Sequence, residues 1–270
     1  MTFCSRTLTI FAAALMSVVT TQAQAQAEGL GASAVISGPV AQPAADIPTP
    51  LAFPGVFGVA SAVAATGGSG FVALSYANPR GGVANGGGDG DFAFGYSIGN
   101  PVDAVSATIS VNVLGLEPFG DSGNVSLSLS RLLRVGGTSA TFLGLGVGDL
   151  LDWGDANGGS PVYTLTGSHI WAVTTAGGVE IPMQLSVGYG TDTTLSDDGR
   201  GRISQGGYVG FGIGVTETLS ASLSATETQL NVGFSLSVPD VPGLGLSVGM
   251  FDVTDNTNRQ QLSLGLSFGF

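Results

Sequence analysis

A two-residue period with an unusual second face constrains this chain more than any other feature. Residues 262–270 place Leu262, Leu264, Leu266, Phe268 and Phe270 at alternate positions, with Ser263, Gly265, Ser267 and Gly269 between them. Alternate side chains of a strand point to opposite faces, so this stretch has one apolar wall and one nearly bare wall. The pattern recurs. Phe92, Phe94, Tyr96 and Ile98 oppose Ala93, Gly95 and Ser97. Ile181, Met183, Leu185, Val187 and Tyr189 oppose Pro182, Gln184, Ser186 and Gly188. A soluble sheet with one wet face normally carries lysine, glutamate and arginine there. These faces carry glycine and serine instead. Lysine is absent from the whole chain and glycine supplies 45 of its 270 residues.

Hydrophobicity delivered in short alternating pieces suits a membrane-spanning barrel. The mean hydropathy is +0.40, although the formal charge is −12. After the amino-terminal region no stretch approaches the ~20 apolar residues of a spanning helix. Twelve strand windows are predicted, at 70–77, 91–98, 104–113, 124–132, 138–148, 162–174, 180–190, 206–216, 219–226, 229–238, 244–252 and 261–270. The closing stretch, with Phe268 and a terminal Phe270 as its barrel signal, resembles the last strand of bacterial outer-membrane β-barrel proteins. The resemblance is at the level of the porin-like superfamily. It implies an all-β fold: a transmembrane antiparallel up-and-down barrel of about 12 strands, located in the bacterial outer membrane. It also implies contact with outer-membrane lipids and assembly machinery, and a carboxy-terminus on the periplasmic side.

That orientation sorts the connections. Residues 78–90, 114–123, 149–161, 191–205, 227–228 and 253–260 become external loops. Residues 99–103, 133–137, 175–179, 217–218 and 239–243 become periplasmic turns. The longest connections fall outside, as barrels of this kind require. So do most acids: Asp89, Asp91, Glu117, Asp121, Asp149, Asp152, Asp155, Asp192, Asp197, Asp198, Glu227, Asp252 and Asp255 lie in these loops or at their edges. They read as a solvated acidic crown. Asp149, Asp152 and Asp155, or Asp197 and Asp198, are candidate ligands for a divalent cation, because hard cations take carboxylate clusters. No complete calcium-loop spacing is present. The tract Gly86-Gly87-Gly88-Asp89-Gly90-Asp91 occurs once and reads as a loop.

The chain begins with Arg6, an apolar run over 8–19 and the small-residue tract 23–27. Those three parts make residues 1–27 a secretory signal peptide, cleaved after Ala25 or Ala27. Cys4 leaves with it, so the mature protein carries no thiol chemistry. Residues 28–69 form a separate Pro/Ala-rich extension, with Pro39, Pro43, Pro48, Pro50 and Pro54 close together. Regular structure is unfavourable there, apart from a short helix or extra strand over 56–65. The extension is either a periplasmic segment or a lumen plug, with 51–65 as the plug candidate. Residues 70–270 are the barrel.

Function is read from the inner wall. Ser106, Thr108, Ser110, Asn112, Gln184, Ser186, Asn231, Ser235, Ser263 and Ser267 line it, with glycine between. Barrels of about eight strands fill themselves, whereas sixteen or more hold water. Twelve strands lined by glycine and serine leave a space for water or for the chain's own extension. A porin-like passive channel for small solutes follows. A non-conducting structural or surface-interaction barrel is the alternative. An outer-membrane lipid hydrolase using the one histidine, His169, is a more distant one. His169 shares the large face with Tyr163, Leu165, Trp171 and Val173, which places it near an interfacial aromatic girdle. No serine is recognisable as its nucleophile. The sequence contains no phosphate loop, metal-ligand spacing or nucleophile elbow. The expectation is a barrel without catalytic residues, bound metal or cofactor. The acidic charge disfavours nucleic acid as a partner.

Overall fold

A computed structural model describes residues 54–78, 89–116, 119–154, 160–195, 203–258 and 260–270. The proposed signal peptide and residues 28–53 lie outside the described residues. Twelve strands follow one another: β1 (Gly70–Ala77), β2 (Asp89–Gly99), β3 (Ser106–Leu116), β4 (Phe119–Gly136), β5 (Ser139–Trp153), β6 (Val162–Thr174), β7 (Glu180–Leu195), β8 (Ile203–Gly214), β9 (Leu219–Thr226), β10 (Leu230–Ser237), β11 (Leu244–Phe251) and β12 (Gln261–Gly269). Each pairs with its sequence neighbours, and β1 pairs with β12 to close the barrel. All these pairings are antiparallel.

Closure depends on the seam. Phe71 to Ala77 run opposite Gly269 to Ser263. Gly70 N–H donates to Phe270 O at 2.8 Å, and Phe270 N–H donates to Gly70 O at 2.9 Å. The terminal residue is thus the last rung of the ladder. Phe268 and Phe270 stack 6.4 Å apart on the outer surface.

The alternation read from sequence is the alternation of the wall. In β2, Ala93, Gly95 and Ser97 are buried inside while Phe94, Tyr96 and Ile98 are exposed outside. In β7, Gln184 and Ser186 are fully buried while Leu185, Val187 and Tyr189 are exposed. Outward apolar residues meet across strands: Leu129 with Leu145, Leu145 with Leu165, and Leu165 with Tyr189. Such an apolar belt on a closed β surface belongs in hydrocarbon, because a barrel leaves no backbone group unpaired there.

Several strands run past the predicted windows. The stretch 114–123 is not an external loop. β3 and β4 continue through most of it, and their pairing extends to Leu116 and Phe119 after an irregularity at Leu114. Likewise β5 reaches Trp153, and β7 and β8 reach Leu195 and Ile203. Hairpins can continue into water, where hydrogen bonding replaces the need for an apolar face. The alternation fades there, so the sequence pattern lost them. The turn predicted over 133–137 shrinks to residues 137–138 for the same reason. A register shift between Leu132 and Arg134 also adjusts the strand at that point. The predicted helix or strand over 56–65 is absent. Residues 54–69 form turns and irregular chain, with Gly58 at φ +80°, a conformation that glycine adopts without steric cost.

The lipid-facing assignment gives a direct test. Leu145 is 52% exposed on the outer face. Leu145→Arg should lower unfolding stability in lipid vesicles by about 2–4 kcal/mol. Ser128→Arg, at an exposed inward-facing position of β4, should change it by about 0.5 kcal/mol or less. Equal effects in urea titrations would reject the assignment of inner and outer faces.

Candidate functional site

The site is the barrel interior, and residues 54–67 run through it. Pro54 and Gly55 lie against Gly212, two residues from the end of β8. The chain rises to Phe57 and Gly58, which lie against Gly233, Gly249 and Asn231. It then crosses the interior and descends. Gln184 Nε2 donates to Ser61 Oγ at 2.7 Å. Ala62 N–H donates to Ser168 Oγ at 2.8 Å, and the Ser130 hydroxyl donates to Ala62 O. Ser106 Oγ donates to Ala65 O at 2.6 Å. Gly67 ends against the Gly99 backbone, and Gly68 N–H donates to Ser97 O at 2.8 Å. Both ends of the segment therefore face the same mouth, the one with the short turns.

The wall and the segment are shaped to each other. A Cβ on Gly210 would collide with Val56 and Val59, and one on Gly233 or Gly249 would collide with the Phe57 ring. On Gly212 it would stand 2.6 Å from Gly55 O. On Gly144 it would stand 3.0 Å from Ala62 Cβ. Beside Val56, Phe57 and Val59 the wall supplies glycine. Ala62 and Ala64 pack in one buried cluster with Leu132, Ala140, Phe142 and Ile170. A second cluster joins Val56 and Val59 to Tyr208. The Phe57 ring meets the Phe251 ring at a tilt of 40°, with centroids 4.6 Å apart. Burying one valine side chain contributes roughly 1.5–3 kcal/mol. Each neutral hydrogen bond adds about 0.5–1.5 kcal/mol.

The wall residues expected from sequence fall into three groups. Ser106 and Gln184 bond the segment directly, and Asn231 lies against Gly58. Thr108, Asn112 and Ser186 bond within the wall: Thr108 to Ser97 at 2.7 Å, Asn112 to Asn124 at 2.7 Å, and Ser186 to Ser168 at 2.8 Å. Ser263 and Ser267 are buried, while Ser110 and Ser235 are half-buried. The expectation of an inner wall of small polar residues alone needs correction. Leu132, Phe142 and Ile170 are buried in the interior, and Phe251 meets Phe57 there. They escaped notice because each sits between outward residues of similar size, so local alternation does not mark them. Ser130, Ser168, Ser222 and Ser224 were also missed, although they share the period of the serines that were named.

Hydrogen bonds continue from the segment to the opposite mouth. Phe57 N–H donates to Ser222 Oγ at 3.1 Å, and Ser224 Oγ donates to Phe57 O at 2.6 Å. Asn231 Nδ2 donates to Ser224 Oγ at 3.2 Å, and its Oδ1 accepts from Asp252 N–H at 3.0 Å. The buried Asp252 carboxylate accepts from Thr257 N–H at 2.8 Å and Thr257 Oγ1 at 2.6 Å. A chain of polar contacts thus links the β11–β12 loop to the apex of the segment.

The other candidates lie elsewhere. His169 is on the outer wall, stacked on Trp171 at 5.4 Å, with Nδ1 2.8 Å from Thr141 Oγ1. The adjacent Ser168 points inward to the segment, so the strand pleat separates it from the imidazole. Asp155, Asp197 and Asp198 lie outside the described residues, as do Glu117 and residues 86–88. Among the described residues no group of three or more histidine, cysteine or acidic side chains is placed to hold a metal ion.

Asp149 follows Gly148, the last β5 residue paired with β6, and has φ +52°. It belongs to the extension beyond the membrane-spanning ladder. Burial raises its carboxyl above the ordinary 3.8, and the neighbouring Asp152 charge adds to the rise. A raised folded-state pKa destabilises the fold when the group is ionised. That penalty is full above the folded pKa and vanishes below the unfolded one. Asp149→Asn should therefore raise the urea midpoint at pH 7, with the advantage shrinking as pH falls toward 3.8. A pH-independent difference would contradict it.

No protein-family model and no curated protein matches the chain. Among solved structures it is similar in fold to the KdgM porin, with TM-score 0.47 and 10% identity over 75% of this chain and 99% of that one. The outer-membrane protein Omp33 of Acinetobacter baumannii gives TM-score 0.45 and 9% identity over 75% and 98%. The COG4313 outer-membrane channel of Pseudomonas putida F1 gives 0.44 and 10% over 77% and 97%.

Proposed function

We propose that this protein is a bacterial outer-membrane barrel of the channel type, porin-like, which passes small solutes when residues 54–67 are displaced. The observation that carries this reading is the contrast between the two surfaces of one closed wall. Outside is an apolar belt suited to lipid. Inside are hydroxyls and amides that bond the segment or each other, glycines that adjoin it, and an apolar group of Leu132, Phe142 and Ile170. Such a lining suits water and small polar solutes once the segment is gone. The residues named along it include no arginine ladder for strong anion selection. The acidic external residues favour cations weakly by raising their local concentration. Lipids are the expected surroundings and the barrel-assembly machinery the expected route, following a secretory signal. Divalent cations at the external acids are an addition that conduction does not require.

A second reading, a barrel that never conducts, is favoured by the filled interior itself. We do not propose an enzyme, because the polar neighbour of His169 is a threonine hydroxyl and a hydrolytic triad needs an oriented third group.

Planar-bilayer recording separates the two. The full-length protein should be mostly closed, and a variant lacking residues 28–66 should conduct, with weak cation preference on ion substitution. If both are silent in bilayers that they have demonstrably inserted into, the channel reading fails.

A further inference from the structure

We propose that the inner wall is a polypeptide-binding groove and that residues 54–67 are its ligand in cis. The segment seats and unseats through the short-turn mouth while the barrel stays folded. Four features of the geometry point to a binding site. First, the wall contacts the segment's backbone at spaced positions: Ser222 and Ser224 at Phe57, Ser168 and Ser130 at Ala62, and Ser106 at Ala65. Hydroxyls bonded to N–H and C=O groups hold an irregular chain whose own backbone groups need partners. Second, glycines at 210, 233 and 249 form pockets for Val56 and Phe57. Third, none of residues 54–67 belongs to a strand, so the closed ladder does not use them. Fourth, Pro54 beside Gly212 and Gly67 beside Gly99 face one mouth. The segment is a loop inserted from that side, and leaving requires no threading past the external loops.

The ligand class this groove accepts is an extended apolar segment rich in small residues, with one aromatic anchor. The anchor sits between Gly233 and Gly249, with its ring tilted against Phe251. Removing the anchor should loosen the segment without touching the wall. Narrowing the pocket should loosen it from the other side.

Thiol labelling of the full-length protein carrying Cys4→Ser, in lipid vesicles, tests this without relying on current. Cysteine is introduced singly, as Ala62→Cys in the segment or as Ala104→Cys in an exposed short turn, and a membrane-impermeant maleimide is the probe. The thiol at position 62 should label far more slowly than the control thiol at position 104. Phe57→Ala, which leaves every strand intact, should accelerate labelling at position 62 at least about tenfold. Gly249→Ala should also accelerate it. The two together should accelerate it by less than the product of their separate effects, because they act on one contact. Labelling at position 62 as fast as at position 104 would overturn the groove, as would a slow rate that ignores both substitutions. Parallel current recording keeps the two readings apart. A protected thiol at position 62 that responds to Phe57→Ala, in a barrel that never conducts, supports the groove and defeats the channel. Current through a barrel whose segment thiol labels at the control rate does the reverse.

Discussion

The structure depends on one constraint: no backbone N–H or C=O can be left unpaired in hydrocarbon. An open sheet fails it at both edges, so the sheet closes. The seam is where closure is tested, and there the first strand residue and the last residue of the chain exchange reciprocal hydrogen bonds. Once the ladder is closed, the pleat leaves two surfaces and no edge. The outer one meets lipid and must be apolar. The inner one is freed from that demand, and its composition follows from what it encloses.

What it encloses is set by strand number. A barrel of eight strands is filled by its own side chains, whereas one of twelve has more cross-section than glycine and serine can fill. Here the shortfall is met by chain. The match is two-sided, glycine opposite Val56 and Phe57 but Phe142 and Ile170 opposite Ala62 and Ala64. An interior that only excluded water could be filled by larger wall residues throughout. A wall with glycine beside Val56 and Phe57, and polar where the segment presents its backbone, is fitted to that segment.

The barrel was legible in the sequence because its determinant is local. Alternation is visible within any eight residues, and the bare second face separates a membrane wall from a soluble sheet. Strand ends in water were not legible, since the extensions of β3, β4, β5, β7 and β8 need only paired backbone, and sequence does not display that. The path of residues 54–67 was legible only as a choice between periplasm and interior. Its hydrogen bonds to the wall join positions 41 to 167 residues apart, from Ala65 with Ser106 to Phe57 with Ser224, and no short-range pattern encodes them. Phe142 and Ile170 are the instructive misses. A large apolar residue at an inward position breaks the rule that identified the wall, and it does so where the interior holds an apolar segment.

The polar chain from Thr257 through Asp252, Asn231 and Ser224 to Phe57 changes what the filled interior means. Asp252 is completely buried, and its carboxylate organises the β11–β12 loop. A buried polar group is costly unless it is hydrogen-bonded, so movement of this loop that strips those bonds is resisted. Asn231 presents one end of its amide to that loop and the other to the serine that holds Phe57. Two side chains, Asn231 and Ser224, therefore stand between the β11–β12 loop and the apex of the segment, while the segment's two ends lie at the opposite mouth. The wall holds the segment at Phe57 and again at Ala62, with two hydrogen bonds at each. Closure of the sheet creates the space, the fitted segment occupies it, and the Asn231 amide joins that occupancy to the outer surface.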